Sequence, residues 1–230
     1  MAASSHPTLH SYWRSSAAYR VRIALALKGL PYQSVTWQMA QGEHLLPAYR
    51  QIAPFGLVPV LDIDGQRLQQ SLAIIEYLDE RYPAPALLPA DLATRAQVRA
   101  LAQLIACEVH PLNNLRVLKR LRAQFGANDE QIEAWYRHWC VETFTAFEAA
   151  LGEAHGGPFA LGTGPTAVEC CLVPQVYNAR RYGVDITPFA RIDAIVQACH
   201  ALPAFRAASP ENQPDAPPSV TAAPLATSSA

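Results

Sequence analysis

Pro83, Pro85 and Pro89 fall within one short stretch and divide the chain into two parts with different hydrophobic periods. No helix runs through such a stretch, because each ring removes a backbone donor and clashes with the turn before it. Ahead of it, short β-like runs alternate with helical ones; from residue 92 onward the period is helical. With 230 residues against roughly 150 per domain, there is room for one large or two small domains. Either buries enough core to do without disulfides or metals.

In the first part, strands are expected over Leu9–Trp13, Gln33–Trp37, Val58–Ile63 and Arg67–Leu68, the last after a turn at Asp64-Gly65. Helices are expected over Ser16–Lys28 and Ser71–Tyr82. In the former, Val21, Ala24 and Leu25 share one face, Arg20, Arg22 and Lys28 lie elsewhere, and Gly29 supplies a stop. The order predicts a small α/β domain with a mixed sheet over residues 8–83.

The second part, 92–208, reads as all-helical. Val98, Leu101, Leu104 and Ile105 form one stripe, and Ile132, Trp135, Tyr136, Trp139, Thr143, Phe144, Phe147 and Leu151 a longer one that reads as core. Asn128 with Gln131, and Thr166 with Glu169, have the spacing of capping boxes. Pro174 should kink the helix that Thr166 opens, and Gly183 should end it. The Pro-, Ala-, Ser- and Thr-rich tail, 209–230, is expected to be poorly ordered.

Charge excludes one class of partner. The net charge is −1, and division near residue 83 gives +1 and −2, so neither part has the basic excess that nucleic-acid phosphates require. Gln103, Glu108 and Glu169 interrupt the best apolar runs, so no membrane span is expected. Met1–Arg20 has no basic segment followed by an apolar one, which argues against a secretory signal. The five cysteines, Cys107, Cys140, Cys170, Cys171 and Cys199, are odd in number and contain no C-x-x-C pair. They argue against a disulfide framework and a zinc site, and for reduced thiols in the cytoplasm. Cys170-Cys171 reads as buried and inert.

Three segments carry a more specific pattern: Ser15 to Leu25 (SSAAYRVRIAL), Gln70 to Leu78 (QSLAIIEYL) and Leu172 to Arg181 (LVPQVYNARR). In order and spacing they resemble the zeta class of the glutathione transferases, over about residues 8–216. The resemblance implies a thioredoxin-like N-terminal domain, an all-α C-terminal domain and a homodimer. It also implies glutathione as cofactor and cis–trans isomerisation of a small dianion, maleylacetoacetate or maleylpyruvate, in aromatic catabolism. Transfer of glutathione to small α-halo acids is the alternative chemistry, and a non-catalytic glutathione-binding module the third reading.

Ser15 and Ser16 stand at a strand-to-helix junction, where backbone N–H groups and the helix dipole favour an anion. A thiol of pKa near 8.5 lowered there by about two units, roughly 2.7 kcal/mol, is mostly thiolate at neutral pH. On position alone both serines read first as helix caps. The resemblance implies that Ser15 activates the thiol and Ser16 supports it. The family usually has Cys next; here it is Ala17.

The resemblance further implies that Val58 and Pro59, with a cis peptide, hold the cysteinyl part of glutathione. Gln70 and Ser71 would hold its γ-glutamyl end, and His44 its glycine end. On position alone Pro59 also suits a plain strand start, Ser71 a simple cap, and His44 a solvated loop. His110-Pro111-Leu112-Asn113-Asn114-Leu115-Arg116 puts polar groups after an apolar helix; by resemblance His110 and Asn114 touch glutathione. A dianion calls for cations of fork geometry. Arg14, Arg116 and Arg181 are the implied ligands, with Arg180 as a neighbour easily confused with Arg181. Lys119, Arg120 and Arg122 read as a solvated helix face.

Overall fold

The computed structural model describes residues 6–152 and 157–218. These form two compact units: the residues up to Ile74 together with those from Pro203 onward, and Ile75–Leu202.

In the first unit, β1 (Thr8–Ser11), α1 (Ser16–Leu27), β2 (Gln33–Thr36), α2 (Pro47–Arg50), β3 (Val60–Ile63) and β4 (Gln66–Gln69) precede α3, Ser71–Arg81. The sheet order is β2-β1-β3-β4. β1 pairs parallel with β2 and antiparallel with β3, and β3 pairs antiparallel with β4, so the sheet is mixed. Asp64 and Gly65, both at positive φ (52° and 73°), close the β3–β4 hairpin with the twist a two-residue turn needs. β1 stops at Ser11, short of the expected Trp13, because Tyr12 turns away: its carbonyl accepts from Ser15 N–H at 3.0 Å.

The expectation that α1 keeps its charges off its buried face fails. Arg20 is 2% exposed and Arg22 1%, and Lys28 is also buried. Arg22 donates to oxygens through all three of its nitrogens, and Arg20 through Nη1 to Ser71 Oγ, which offsets part of the cost of burying them.

The tail also departs from its composition. Pro203–Ala208 (α10) belongs with the first unit and not with the helical part, and Tyr19 Oη–H donates to Phe205 O at 3.4 Å. Ser209, Pro210 and Gln213 are buried. Gln213 donates to Ser209 O (2.8 Å) and Ala207 O (3.1 Å), and Asp215 Oδ2 accepts from Trp13 N–H at 3.0 Å. Residues 209–218 are therefore docked; the rest of the expected tail lies outside the described residues.

The second unit is helical: α4 (Leu92–Gln103), a π-helical turn (Leu104–Val109), α5 (His110–Leu112), α6 (Leu115–Phe125), α7 (Asp129–Leu151), α8 (Ala167–Arg181) and α9 (Ala190–Ala201). Both capping boxes form, Asn128 with Gln131 on α7 and Thr166 with Glu169 on α8. Pro174 lies inside α8, and Gly183 follows its end at φ 65°. The proline stretch is anchored, since Asp79 accepts from Leu87 N–H (2.6 Å) and Leu88 N–H (3.1 Å). Ile132, Tyr136, Thr143, Phe144 and Phe147 are buried as the stripe predicts, whereas Trp135, Trp139 and Leu151 of the same stripe are only half-buried. No described helix is long and apolar enough to cross a membrane.

A chain ending at Ala208 should be less stable than one ending at Pro218 by at least about 2 kcal/mol, since a hydrogen bond to a carboxylate alone contributes about 1.5–3 kcal/mol. Urea denaturation midpoints of the two truncations check this; equal midpoints would mean that 209–218 only rests on the surface.

Candidate functional site

In the first unit the β1–α1 turn is held by Arg22. Its Nη2 donates to Trp13 O (3.0 Å), its Nη1 to Tyr12 O (3.4 Å) and Ser11 Oγ (3.3 Å), and its Nε to Ala208 O (2.9 Å). Burial pushes Arg22 down to about 10, against the pull of Tyr32, Tyr19, Asp215 and Glu211. It still carries its charge at neutral pH. Sequence reasoning gave neither α1 arginine a role; the available signal was two guanidiniums inside an otherwise apolar helix.

That turn presents Arg14 and Ser15. Ser15 is the N-cap of α1, half-buried, with Oγ accepting from Ala18 N–H at 3.2 Å. The bond uses an oxygen lone pair and leaves the hydroxyl proton available to a second acceptor. The capping and the anion-donating readings are thus compatible. Ser16 is buried as the first residue of α1. Arg14 lies over the Trp13 ring, 5.6 Å from its centroid.

Ser71 opens α3, is buried, and accepts from Arg20 Nη1 at 3.2 Å. Gln70 before it has φ 69°, a left-handed conformation costing a non-glycine residue about 1 kcal/mol. The Val58–Pro59 peptide is cis and precedes β3. His44 is buried in a single turn of 3₁₀ helix, Glu43–Leu45. Gly56 (φ 63°) passes so close that a Cβ there would stand 2.8 Å from His44 O, so only glycine fits.

In the second unit, the predicted polar cluster forms a break after the π-helical turn. Asn114 is the N-cap of α6, its Oδ1 accepting from Arg116 N–H at 3.1 Å; His110, on α5, is half-buried. Asn113, to which the sequence assigned no role, pins the break: its Nδ2 donates to Tyr136 O (3.2 Å) and to Cys140 Sγ (3.5 Å), which also accepts from Gln175 Nε2 (3.4 Å). Burial pushes the Cys140 thiol up to about 12 despite these bonds, which leaves it no nucleophilic role. Cys170 and Cys199 are also raised by burial.

Arg181, at the C-terminus of α8, is exposed; Nη1 donates to Asn178 Oδ1 (3.1 Å) and the guanidinium lies over Tyr182. Arg180 is paired with Asp193 at 2.9 Å, which separates the two neighbours. Arg67, Arg99 and Arg122 also have carboxylate partners, Asp62, Glu76 and Asp129. Arg14, Arg116 and Arg181 have none among the described residues. A cleft of about 240 Å³ lies beside Leu115, Ile132 and Tyr182, next in sequence to Arg116 and Arg181. The described residues contain no cluster able to hold a metal ion.

Comparison with known proteins gives these features a context. Residues 14–81 match the family described as glutathione S-transferase, N-terminal domain. The maleylpyruvate isomerase of Ralstonia sp is 48% identical over 208 residues, 90% of this chain and 98% of that protein. The solved holo structure of a maleylpyruvate isomerase, described as a bacterial zeta-class glutathione S-transferase, superposes with a TM-score of 0.90. It is 47% identical and covers 91% of this chain and 100% of its own. The maleylacetoacetate isomerase of Anaeromyxobacter dehalogenans 2CP-1, with dicarboxyethyl glutathione and citrate bound in its active site, gives a TM-score of 0.83 at 43% identity, covering 95% of this chain and 97% of its own. With this fold and these relatives along nearly its whole length, the chain belongs to the zeta class of the glutathione transferases.

Proposed function

We propose that this protein is a glutathione-dependent cis–trans isomerase converting maleylacetoacetate to its trans isomer, fumarylacetoacetate, with maleylpyruvate as the alternative substrate. The observation that carries the reading is the Ser15 N-cap, whose oxygen serves α1 while its proton remains to be given to an anion. When bound, glutathione would supply a thiolate that adds to the cis double bond, so that the resulting single bond can rotate, and that is expelled again as the trans double bond re-forms.

The residues suit that cofactor. Ser15 donates to the sulfur, and Ser16 supports the turn. Among the described residues no hydrogen bond takes the Val58 backbone, so its N–H and C=O can pair with the cysteinyl part, while Pro59 fixes the approach. Gln70 and Ser71 at the start of α3 receive the γ-glutamyl carboxylate, with Arg20 behind Ser71 adding positive charge. His44 takes the glycine end, and His110 and Asn114 complete the set. Arg14, Arg116 and Arg181 bind the substrate carboxylates; lacking carboxylate partners, they need break no ion pair to do so. Removing the ordering cost of the encounter and stabilising the developing anion are the two rate contributions. The bound dicarboxyethyl adduct and citrate of the Anaeromyxobacter enzyme support a site for a sulfur beside a polycarboxylate.

We further propose a cytoplasmic homodimer. Its support is an apolar surface on the first unit: Phe55 is 76% exposed, with Leu45 and Leu46 about half exposed, and Gly56 approaches Leu45. Alone, a chain of 25.1 kDa would give that mass by light scattering at micromolar concentration; twice that is expected, and the single mass would contradict the dimer.

Assay of both substrates with and without glutathione tests the reaction itself, and loss of the cis isomer without glutathione would contradict it. Ser15→Ala should lower turnover about ten- to a hundredfold, the worth of one hydrogen bond to an anion, about 1.5–3 kcal/mol, and change glutathione affinity less. Full activity would leave Ser15 a cap. Arg181→Ala should raise the KM for the dianion while glutathione binding and turnover of a neutral aryl halide stay nearly constant. A lost guanidinium–carboxylate pair in a partly desolvated site costs about 2–5 kcal/mol. Equal losses on charged and neutral substrates would assign Arg181 to the fold.

A further inference from the structure

We infer that Asp215 is a positioning residue for Ser15, acting through the main chain of Trp13, so that the C-terminal segment Pro203–Ala216 is a working part of the glutathione site. The inference rests on the reading that Ser15 stabilises the thiolate.

The main chain of Trp13 is held at both of its polar groups. Its N–H donates to Asp215 Oδ2 at 3.0 Å, and its C=O accepts from Arg22 Nη2 at 3.0 Å. Tyr12 O accepts from Ser15 N–H at 3.0 Å and from Arg22 Nη1 at 3.4 Å, and Arg22 Nε reaches Ala208 O in the C-terminal segment at 2.9 Å. Ala216 packs on the cluster that contains Tyr12 and Trp13. The segment thus arrives about two hundred residues later to close both edges of one turn. Arg14 and Ser15 follow Trp13 directly, and the Ser15 hydroxyl has one side-chain bond among the described residues, to its own helix. The placement of Oγ is therefore set by the backbone of the turn. Rotation of the Tyr12–Trp13 peptide displaces it, and displacement of a reacting group by about 1 Å costs up to about a hundredfold in rate.

Other anchors keep the segment docked without Asp215: Tyr19 on Phe205 O, Arg22 on Ala208 O, and Gln213 on Ser209 O and Ala207 O. The carboxylate's charge and its hydrogen bond also act on a nearby thiolate with opposite signs. Removing a negative charge favours the thiolate, whereas loosening the turn disfavours it.

The test is the ultraviolet titration of the thiol in the glutathione complex of Asp215→Ala and Asp215→Asn, with hydrogen exchange of the Trp13 amide in the ligand-free protein. Asparagine keeps an acceptor oxygen but not the charge. Asp215→Ala should raise the pKa of the bound thiol by about one, lower kcat about tenfold and speed Trp13 exchange; Asp215→Asn should retain wild-type exchange and most of the kcat. A bound thiol pKa that falls or stays put in Asp215→Ala, or an Asn variant that behaves like Ala, overturns the assignment. If Asp215→Ala does not fold, Asp215→Ser carries the same expectations. Ser15→Ala in the same titration separates the two ideas. An unmoved thiol pKa there would overturn the Ser15 reading itself, and the positioning role with it; a raised pKa there with an unmoved one in Asp215→Ala would overturn only the positioning role.

Discussion

A guanidinium with almost no contact with water, and no carboxylate bonded to it among the described residues, is the constraint on which the first unit depends. Arg22 is 1% exposed and gives its hydrogen bonds to three main-chain carbonyls and one hydroxyl. A buried charge left unsatisfied costs several kcal/mol, so these acceptors must stay where they are. Two of the carbonyls belong to the turn that presents Ser15, and the third to α10. Satisfying one charge therefore fixes the start of α1 and docks α10. It also leaves a positive charge behind a helix N-terminus, where, on the proposed reading, an anion would be held.

The arginines divide by how they are satisfied. Arg20 and Arg22 are buried and spend donors on Ser71 Oγ and on the turn; they organise the positions where a tripeptide would be gripped. Arg67, Arg99, Arg122 and Arg180 are paired with acids near the surface, where such pairs contribute little to stability. Arg14, Arg116 and Arg181 have no carboxylate partner among the described residues, and on the proposed reading they are the ones that would meet the substrate. With a net charge of −1, the chain does not attract dianions by its overall field. It can do so only through cations left unneutralised at chosen places.

What could be read from the sequence was local. The capping boxes at Asn128 and Thr166, the glycines ending helices and the break at the prolines depend on neighbours within a few residues, and each formed. Sequence motifs likewise pointed to Ser15, Ser71 and the cis Val58–Pro59 peptide. What escaped was set by distant partners. Arg20 and Arg22 look like surface charges until Ser71 and Ala208 are brought beside them. Residues 209–218 have the composition of a loose tail, yet Trp13 N–H gives Asp215 something to bond, and Asn212 and Gln213 bond back to Arg206 O and Ala207 O of α10. The break before Arg116 depends on Asn113 meeting Tyr136 and Cys140, which no local pattern announces.

The central claim is that the thiolate held by Ser15 is returned at the end of every cycle. Incubating the protein with maleylacetoacetate, and separately with maleylpyruvate, at a glutathione concentration far below that of substrate tests it most directly. The account predicts conversion of the whole substrate pool to the trans isomer with free glutathione recovered in full. A reaction that stops after one equivalent of glutathione, leaving an S-substituted conjugate, would contradict it.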